Sequence, residues 1–264
     1  MTETFQITLE QAEAYETYLV PAVTGQWADP LLAIAGVGPG DRVLDVACGT
    51  GVLARAAAGR TGGDVVGIDL NPAMLEVARR IRPDLAWRQG DAAALPCGDG
   101  TFDAVLCQAA VFFFPDVDAA LAEMARVVRP GGMVAIHTFA GLDDQPVYGP
   151  FIDAVLGQAG ADARRLVDTY FSCGDVSALR TALEGAGLRV ERTSSPMGVA
   201  SYASWDALID AEVRSTPLAD RLTDRQLAEI RVEAEELLRG HRTPEGALDV
   251  PIRAHLVAAR REEV

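Results

Sequence analysis

Residues 43–51 read Val43-Leu44-Asp45-Val46-Ala47-Cys48-Gly49-Thr50-Gly51. Four strand-forming residues run into a turn of small side chains, and the alanine-rich stretch 52–58 follows with a helical pattern. A strand that turns at once into a helix opens a βαβ unit, because parallel strands need a long crossover between them. Gly49 and Gly51 permit a backbone conformation and a closeness of approach that a Cβ forbids. That serves a tight strand–helix turn, and it equally serves a ligand brought up against the helix N-terminus.

Outward from this stretch the alternation continues. The sequence predicts strands at 64–68, 85–88, 103–107 and 133–138, with helices at 73–81 and 116–128 between them. Pro72 is a favoured first-turn residue of its helix, and Asp69 ends the second strand. Upstream, Thr8 and Gln11 form a capping-box pattern opening a helix to about Leu19. Pro21 is expected to break it before a second helix at 27–35 and a glycine-rich turn at 36–40. Downstream the signal thins. Asp175 caps a helix to Gly185, 188–192 reads as a strand, 204–239 as helical, and 252–258 as the last strand. Within 204–239, Thr223 and Gln226 make a second capping box, and Leu227, Ile230, Ala234, Leu237 and Leu238 share one face, opposite charges that read as solvated. The expected fold is α/β, doubly wound on a mostly parallel sheet, with a helical insertion before the last strand.

Composition removes whole mechanisms. All 23 basic residues among the 264 are Arg, so a P-loop lysine, a Schiff-base lysine and a kinase-type strand lysine are excluded. The only Asn, Asn71, precedes Pro72, which leaves no N-glycosylation acceptor. A net charge of −15 argues against a protein that lives on nucleic acid. Residues 1–10 carry no secretory pattern, and no apolar run reaches the roughly 18 residues of a membrane span. Four cysteines (Cys48, Cys97, Cys107, Cys173) lack metal-type spacing and read as reduced thiols. A cytoplasmic protein without a metal site or membrane insertion is expected.

Gly49-x-Gly51-x-x-Ala54 with Asp69 satisfies the relaxed dinucleotide fingerprint, in which the acid accepts ribose hydroxyls. Three features point to another cofactor. Asp45 lies on the first strand, where an NAD-binding strand is normally apolar, and an acid there suits an ammonium group. Gly90-Asp91-Ala92 puts a carboxylate at the end of the third strand, where an adenine amine can donate to it. Arg129-Pro130-Gly131-Gly132 precedes the fifth strand.

In this order and spacing the chain resembles the class I S-adenosylmethionine-dependent methyltransferases. The runs 43–51, 67–75 (GIDLNPAML), 90–96 (GDAAALP), 102–103 (FD) and 113–116 (FFPD) narrow the resemblance to the methyltransferase type 11 group, the small-molecule and quinone-type branch. It covers about 15–140 and, more weakly, 251–261. Ala47 departs from the family's glycine-rich D-x-G-x-G-x-G.

The resemblance implies a seven-stranded Rossmann-like sheet in a single domain over 1–264. Its parts are an N-terminal helical lid (1–40), a cofactor-binding core (41–140) and substrate-side helices with the closing strands (141–264). It implies S-adenosyl-L-methionine as cofactor and S-adenosyl-L-homocysteine as product. Asp45, Ala47, Gly49 and Gly51 then lie beneath the methionine part and Asp69 holds the ribose. Leu70 flanks the adenine with Met74 on the same side, Asp91 and Ala92 read the adenine edge, and Gln108 sits beside the sulfonium. Tyr18 and Trp27 of the lid cover the cofactor. Tyr15, Phe112, Phe113, Tyr148 and Tyr170, with Phe171, are candidates for an apolar acceptor pocket, although the same aromatics serve a core equally well. Methyl transfer is an in-line displacement that needs alignment and dryness. His137, near the end of the fifth strand, is the candidate base where the acceptor must lose a proton, while strand alternation can equally aim it into the core. His241 and His255 read as structural or exposed.

The expected partner is a small-molecule acceptor, a secondary metabolite or quinone-like compound methylated on O, N or C, with the protein a monomer or homodimer. Rival readings are a cofactor-binding protein without turnover and an NAD-linked oxidoreductase. Nucleic-acid base methylation lacks its motif, because Gln108-Ala-Ala-Val-Phe112 stands where an Asn/Asp-Pro-Pro-aromatic run belongs.

Overall fold

The computed structural model describes residues 6–156 and 160–263. Strand β1 (Val43–Val46) is buried along its length and pairs in parallel with β2 (Val65–Asp69) on one side and β4 (Phe102–Gln108) on the other. Beyond β2 lies β3 (Ala86–Gln89), and beyond β4 lies β5 (Val128–Phe139), again parallel. The chain thus runs outward from β1 to β3 and then returns to β4. This reversal opens a crevice at the C-terminal ends of β1 and β4, where doubly wound sheets bind ligands.

The sheet closes with antiparallel strands, in the order β3-β2-β1-β4-β5-β8-β6. Strand β8 (Leu248–Arg261) is long enough to serve two partners along its length. Its second half lies between β5 and β6 (Leu188–Ser194), and its first half pairs with β7 (Met197–Tyr202). Among the described residues the sheet therefore has eight strands rather than the expected seven.

Alternation along the strands sends side chains to two cores. Leu44, Val46, Val105, Val134 and Ile136 pack on one face. Val43, Ala104, Leu106 and Ala135 pack on the other, against Leu31, Leu32 and Leu53. Helices α2 (Ala28–Ala35), α3 (Val52–Thr61), α4 (Pro72–Ile81) and α5 (Val117–Val127) cover these faces. Asn71 and Asp116 cap α4 and α5 through bonds to backbone N–H groups.

Two sequence expectations change. Helix α1 (Leu9–Ala14), capped by Thr8 and Gln11 as expected, runs on through Pro21 instead of breaking there. Tyr15–Thr24 is π-helical with Pro21 inside it, and the N–H of Gly25 donates to the carbonyl of Val20. The wider turn carries the hydrogen-bond ladder past the proline's missing donor. Residues 204–239, expected as one helix, are broken into α9 (Trp205–Ile209), π-helical Asp210–Arg214, 3-10 Pro217–Arg221 and α10 (Asp224–Leu237). Pro217 holds Thr216 extended (φ −131°, ψ 166°), which ends the helix before it. Three further helices, α6 (Tyr148–Leu156), α7 (Ala161–Phe171) and α8 (Val176–Gly185), lie between β5 and β6, and only α8 was legible beforehand. Among the described residues no helix is long and apolar enough to cross a membrane.

Candidate functional site

At the end of β1 the backbone takes three left-handed steps, at Ala47 (φ +55°), Gly49 (φ +55°) and Gly51 (φ +88°). The space around Gly49 is open, since a Cβ there would meet only Met74 Sδ at 4.0 Å. Two carboxyls hold the turn. Asp69 accepts from Gly49 N–H through Oδ2 (2.7 Å) and from Asn71 N–H through Oδ1 (2.8 Å). Asp45, 1% exposed, accepts from Ala54 N–H in the first turn of α3 at 2.9 Å. Burial pushes the Asp45 carboxyl up to about 8 against that bond, and raises Asp69 as well.

These groups open onto a cleft of about 260 Å³. Its polar end is lined by Asp45, Ala47, Gly49, Asp69, Leu70, Met74, Asp91, Ala92 and Gln108. Its other end is lined by Phe112, Phe113, Tyr148, Tyr170 and Phe171, and Tyr15 lines the cleft near Asp69 and Met74. The aromatic wall is continuous, with Phe112 against Phe113 at 4.8 Å between ring centroids and Phe113 against Tyr170 at 5.1 Å. Gln108 donates through Nε2 to the Thr24 carbonyl at 2.9 Å, which ties β4 to the π-helical turn.

Four expected site residues stand apart from this cleft. Tyr18 is 39% exposed and turned outward. Trp27 is buried beneath the π-helix, with its ring 5.1 Å from that of His137. Gly51 is not in the lining, and a Cβ there would lie 2.2 Å from the Trp87 ring. His137 is fully buried on the face of β5 shared by Met133 and Ala135, and neither ring nitrogen has a hydrogen-bond partner. Burial pushes its imidazole down to about 3, so it is uncharged at neutral pH, and it is not among the residues that line the cleft. His255 is structural, between Ser195 Oγ (2.7 Å) and the Gly174 carbonyl (3.1 Å).

Sequence reasoning missed Glu212. It lines the aromatic end of the cleft and accepts a hydrogen bond from Tyr202, which itself lies beside Tyr148. The one available signal was an acid between the apolar residues Ala211 and Val213, and Asp210 beside it reads the same way.

The ionisable lining of the cleft is one-sided, acids without a base. Asp45, Asp69, Asp91 and Glu212 line it, and no Arg or His does among the described residues. Thr50 Oγ1 and Gln108 Oε1 are buried there without partners. S-adenosylmethionine presents an ammonium, a sulfonium, ribose hydroxyls and an adenine amine, which are cations or donors that such a lining satisfies. Its single carboxylate requires one donor, which the Thr50 hydroxyl can supply. A dinucleotide brings a pyrophosphate, which needs free amides at the start of α3. There the Ala54 amide is already given to Asp45, and a carboxylate stands where the phosphates belong. The residues fit the sulfonium cofactor and oppose the dinucleotide.

Comparison with known proteins agrees. A family model described as a methyltransferase domain, of the type 11 group, matches residues 44–136. An uncharacterised protein of Mycobacterium bovis is 35% identical over 219 residues, 77% of this chain and 78% of that one. A demethylmenaquinone methyltransferase of Renibacterium salmoninarum is 41% identical over 128 residues, 48% of this chain and 52% of that enzyme. The chain thus spans about half the length of the quinone methyltransferases it matches. A putative methyltransferase of Bacillus halodurans shares the fold at a TM-score of 0.63 and 22% identity, covering 89% of this chain and 99% of that one.

Proposed function

This chain belongs to the class I S-adenosylmethionine-dependent methyltransferases, in the type 11 group, and from that premise we propose that it methylates a small apolar, quinone-like acceptor. The observation that carries the reading is one continuous cleft, with carboxyls and a left-handed turn at one end and an aromatic wall at the other. S-adenosylmethionine, when bound, supplies a methyl group already activated by its sulfonium. The protein's task is to bind, align and exclude water.

At the polar end Asp69 holds the ribose hydroxyls, Leu70 and Met74 flank the adenine, and Asp91 with the Ala92 backbone reads its amine. Asp45 and the turn through Ala47 and Gly49 hold the methionine part, with Gln108 beside it. The acceptor lies against Phe112, Phe113, Tyr148 and Tyr170, and Tyr15 of the π-helix closes over both. The lack of any cationic side chain among the described residues of the lining speaks against an anionic acceptor. Relatives named demethylmenaquinone methyltransferase and 2-phytyl-1,4-naphtoquinone methyltransferase support a flat apolar one.

Incubation with methyl-labelled S-adenosylmethionine and a panel of reduced naphthoquinones and benzoquinones tests the reading. The expected result is label in an organic-extractable product. Tight cofactor binding with no label transferred to the quinols or to an apolar extract of host cells would overturn it in favour of a binding protein.

A further inference from the structure

Once the cofactor end is accounted for, one charged group of the cleft is left over. Glu212 sits in the π-helical turn Asp210–Arg214 and faces the aromatic end. The Tyr202 hydroxyl donates to its Oε1. The Tyr148 hydroxyl lies 2.7 Å from that of Tyr202 and 3.3 Å from the same Oε1. Each phenol has one proton, so Tyr148 donating to Tyr202, and Tyr202 to Glu212, makes a chain that ends on Oε1. Burial pushes the Glu212 carboxyl up, and the two phenols oppose that by favouring the ionised form. The bonds to the phenols fall on Oε1, and among the described residues no Arg or His lines the cleft.

With Oε1 engaged by the two phenols, Oε2 is the oxygen left to accept from a ligand, and a donor brought to it among apolar side chains is worth more than one in water. Around Glu212 the lining offers rings and aliphatic groups: Tyr170, Ile209, Val213 and Leu218. We infer that Glu212 selects the methyl acceptor, an apolar molecule that presents one hydroxyl or amine hydrogen to Glu212 Oε2 and carries no anionic group. The inference rests on the transferase reading above. Tyr148 and Tyr202 are positioning residues, since they act by holding Oε1 and leaving Oε2 to the ligand.

Four probes of nearly the same shape test it by calorimetry on protein saturated with S-adenosylhomocysteine: 2-naphthol, 2-naphthylmethylamine, 2-methoxynaphthalene and 2-naphthoate. The methoxy compound keeps the oxygen and loses the donor. The two donor probes should bind on the order of ten-fold tighter than the methoxy compound, with naphthoate the weakest. Whichever donor probe binds more tightly assigns the ligand group as hydroxyl or ammonium. In Glu212→Gln the gap between naphthol and methoxynaphthalene should shrink to less than about three-fold. Equal binding of naphthol and methoxynaphthalene by the wild type, tightest binding of naphthoate, or an undiminished gap in Glu212→Gln would overturn the assignment. Should the variant fail to fold, the wild-type ranking still decides. Failure of the wild type to bind S-adenosylhomocysteine refutes the transferase reading itself, whereas cofactor binding without donor preference refutes only the role of Glu212.

Discussion

The polar end of the cleft takes most of its groups from residues 45–108, at the ends of neighbouring strands, and holds them by hydrogen bonds between short side chains and backbone. The aromatic end gathers its lining from 112–115, 139–171, 208–230 and Ile252, segments far apart in the chain that meet only by packing. Electrostatics differ in the same way. Three acids at the polar end sit beside a backbone turn, while a single acid stands in the aromatic end on a chain of two tyrosines. One end is a fixed receptor for a fixed cofactor. The other can be rebuilt by changing helices without disturbing the first.

The comparison breaks most readily at Gly51, because the turn that carries the polar end has no room for a Cβ at that one position. Gly51→Ala drives a Cβ into Trp87 and strains a residue at φ +88°. A loss of about 3 kcal/mol is expected, roughly 10 °C in Tm. Combining it with Trp87→Leu should recover part of the difference between the two single variants, by removing the collision. Wild-type stability of Gly51→Ala in thermal melts would show that the packing is not what requires glycine.

A somewhat smaller effect is expected at Asp69. At saturating S-adenosylhomocysteine, about 100 times Kd, the wild type gains about 2.7 kcal/mol, and Asp69→Ala should abolish the accompanying rise in Tm. Glu212→Gln, at the other end, should leave that rise within about 0.5 kcal/mol of wild type. Loss of cofactor binding in both variants would mean that the two ends are not independent.

Asp45 gives a pH test. Its folded carboxyl titrates at about 8 against an ordinary 3.8, so the native state keeps a proton that the unfolded chain releases. Its contribution is therefore most favourable below about pH 4 and is progressively lost as pH rises toward 8, by at most about 1.4 kcal/mol per pH unit. Asp69 and Glu212, also raised, have the same sign. His137 is depressed and costs stability only as pH falls below its unfolded value of 6.5. Between pH 6.5 and 8 the Tm of the cofactor-free protein should fall, and Asp45→Asn should flatten the slope. An unchanged slope in the variant would assign the dependence elsewhere.

The smallest effect is expected at His137. It does not line the cleft and meets it through the Phe139 ring, 5.2 Å away, so His137→Leu should keep the methyl-transfer rate within about three-fold and leave stability at neutral pH nearly unchanged. A loss of a hundred-fold or more, the scale of removing a general base, would return His137 to the chemistry.

The same division explains what could be read beforehand. Asp45, the turn and Asp69 lie within 25 residues, and strand ends of a parallel sheet converge by topology alone, so a local pattern located them. The aromatics Phe112, Phe113, Tyr148 and Tyr170 were named as candidates, but their convergence depends on how α6 and α7 pack, which no local pattern specifies. Tyr15 and Tyr18 share a face at ordinary helical pitch. The π-helix that begins at Tyr15 changes the phase, and Tyr18 turns to solvent while Tyr15 lines the cleft. The position of His137 was legible by alternation from Met133 and Ala135. Glu212 was not, because nothing local distinguishes it from Asp210, which pairs with Arg214.

Calorimetric titration of the cofactor-free protein with S-adenosylhomocysteine and, separately, with NADH tests the central claim most directly. One-site binding of S-adenosylhomocysteine that is lost in Asp69→Ala and kept in Glu212→Gln, with no heat from NADH, is the expected result. Saturable binding of NADH with none of S-adenosylhomocysteine would contradict it, because a pyrophosphate would then occupy the helix start that Asp45 holds closed.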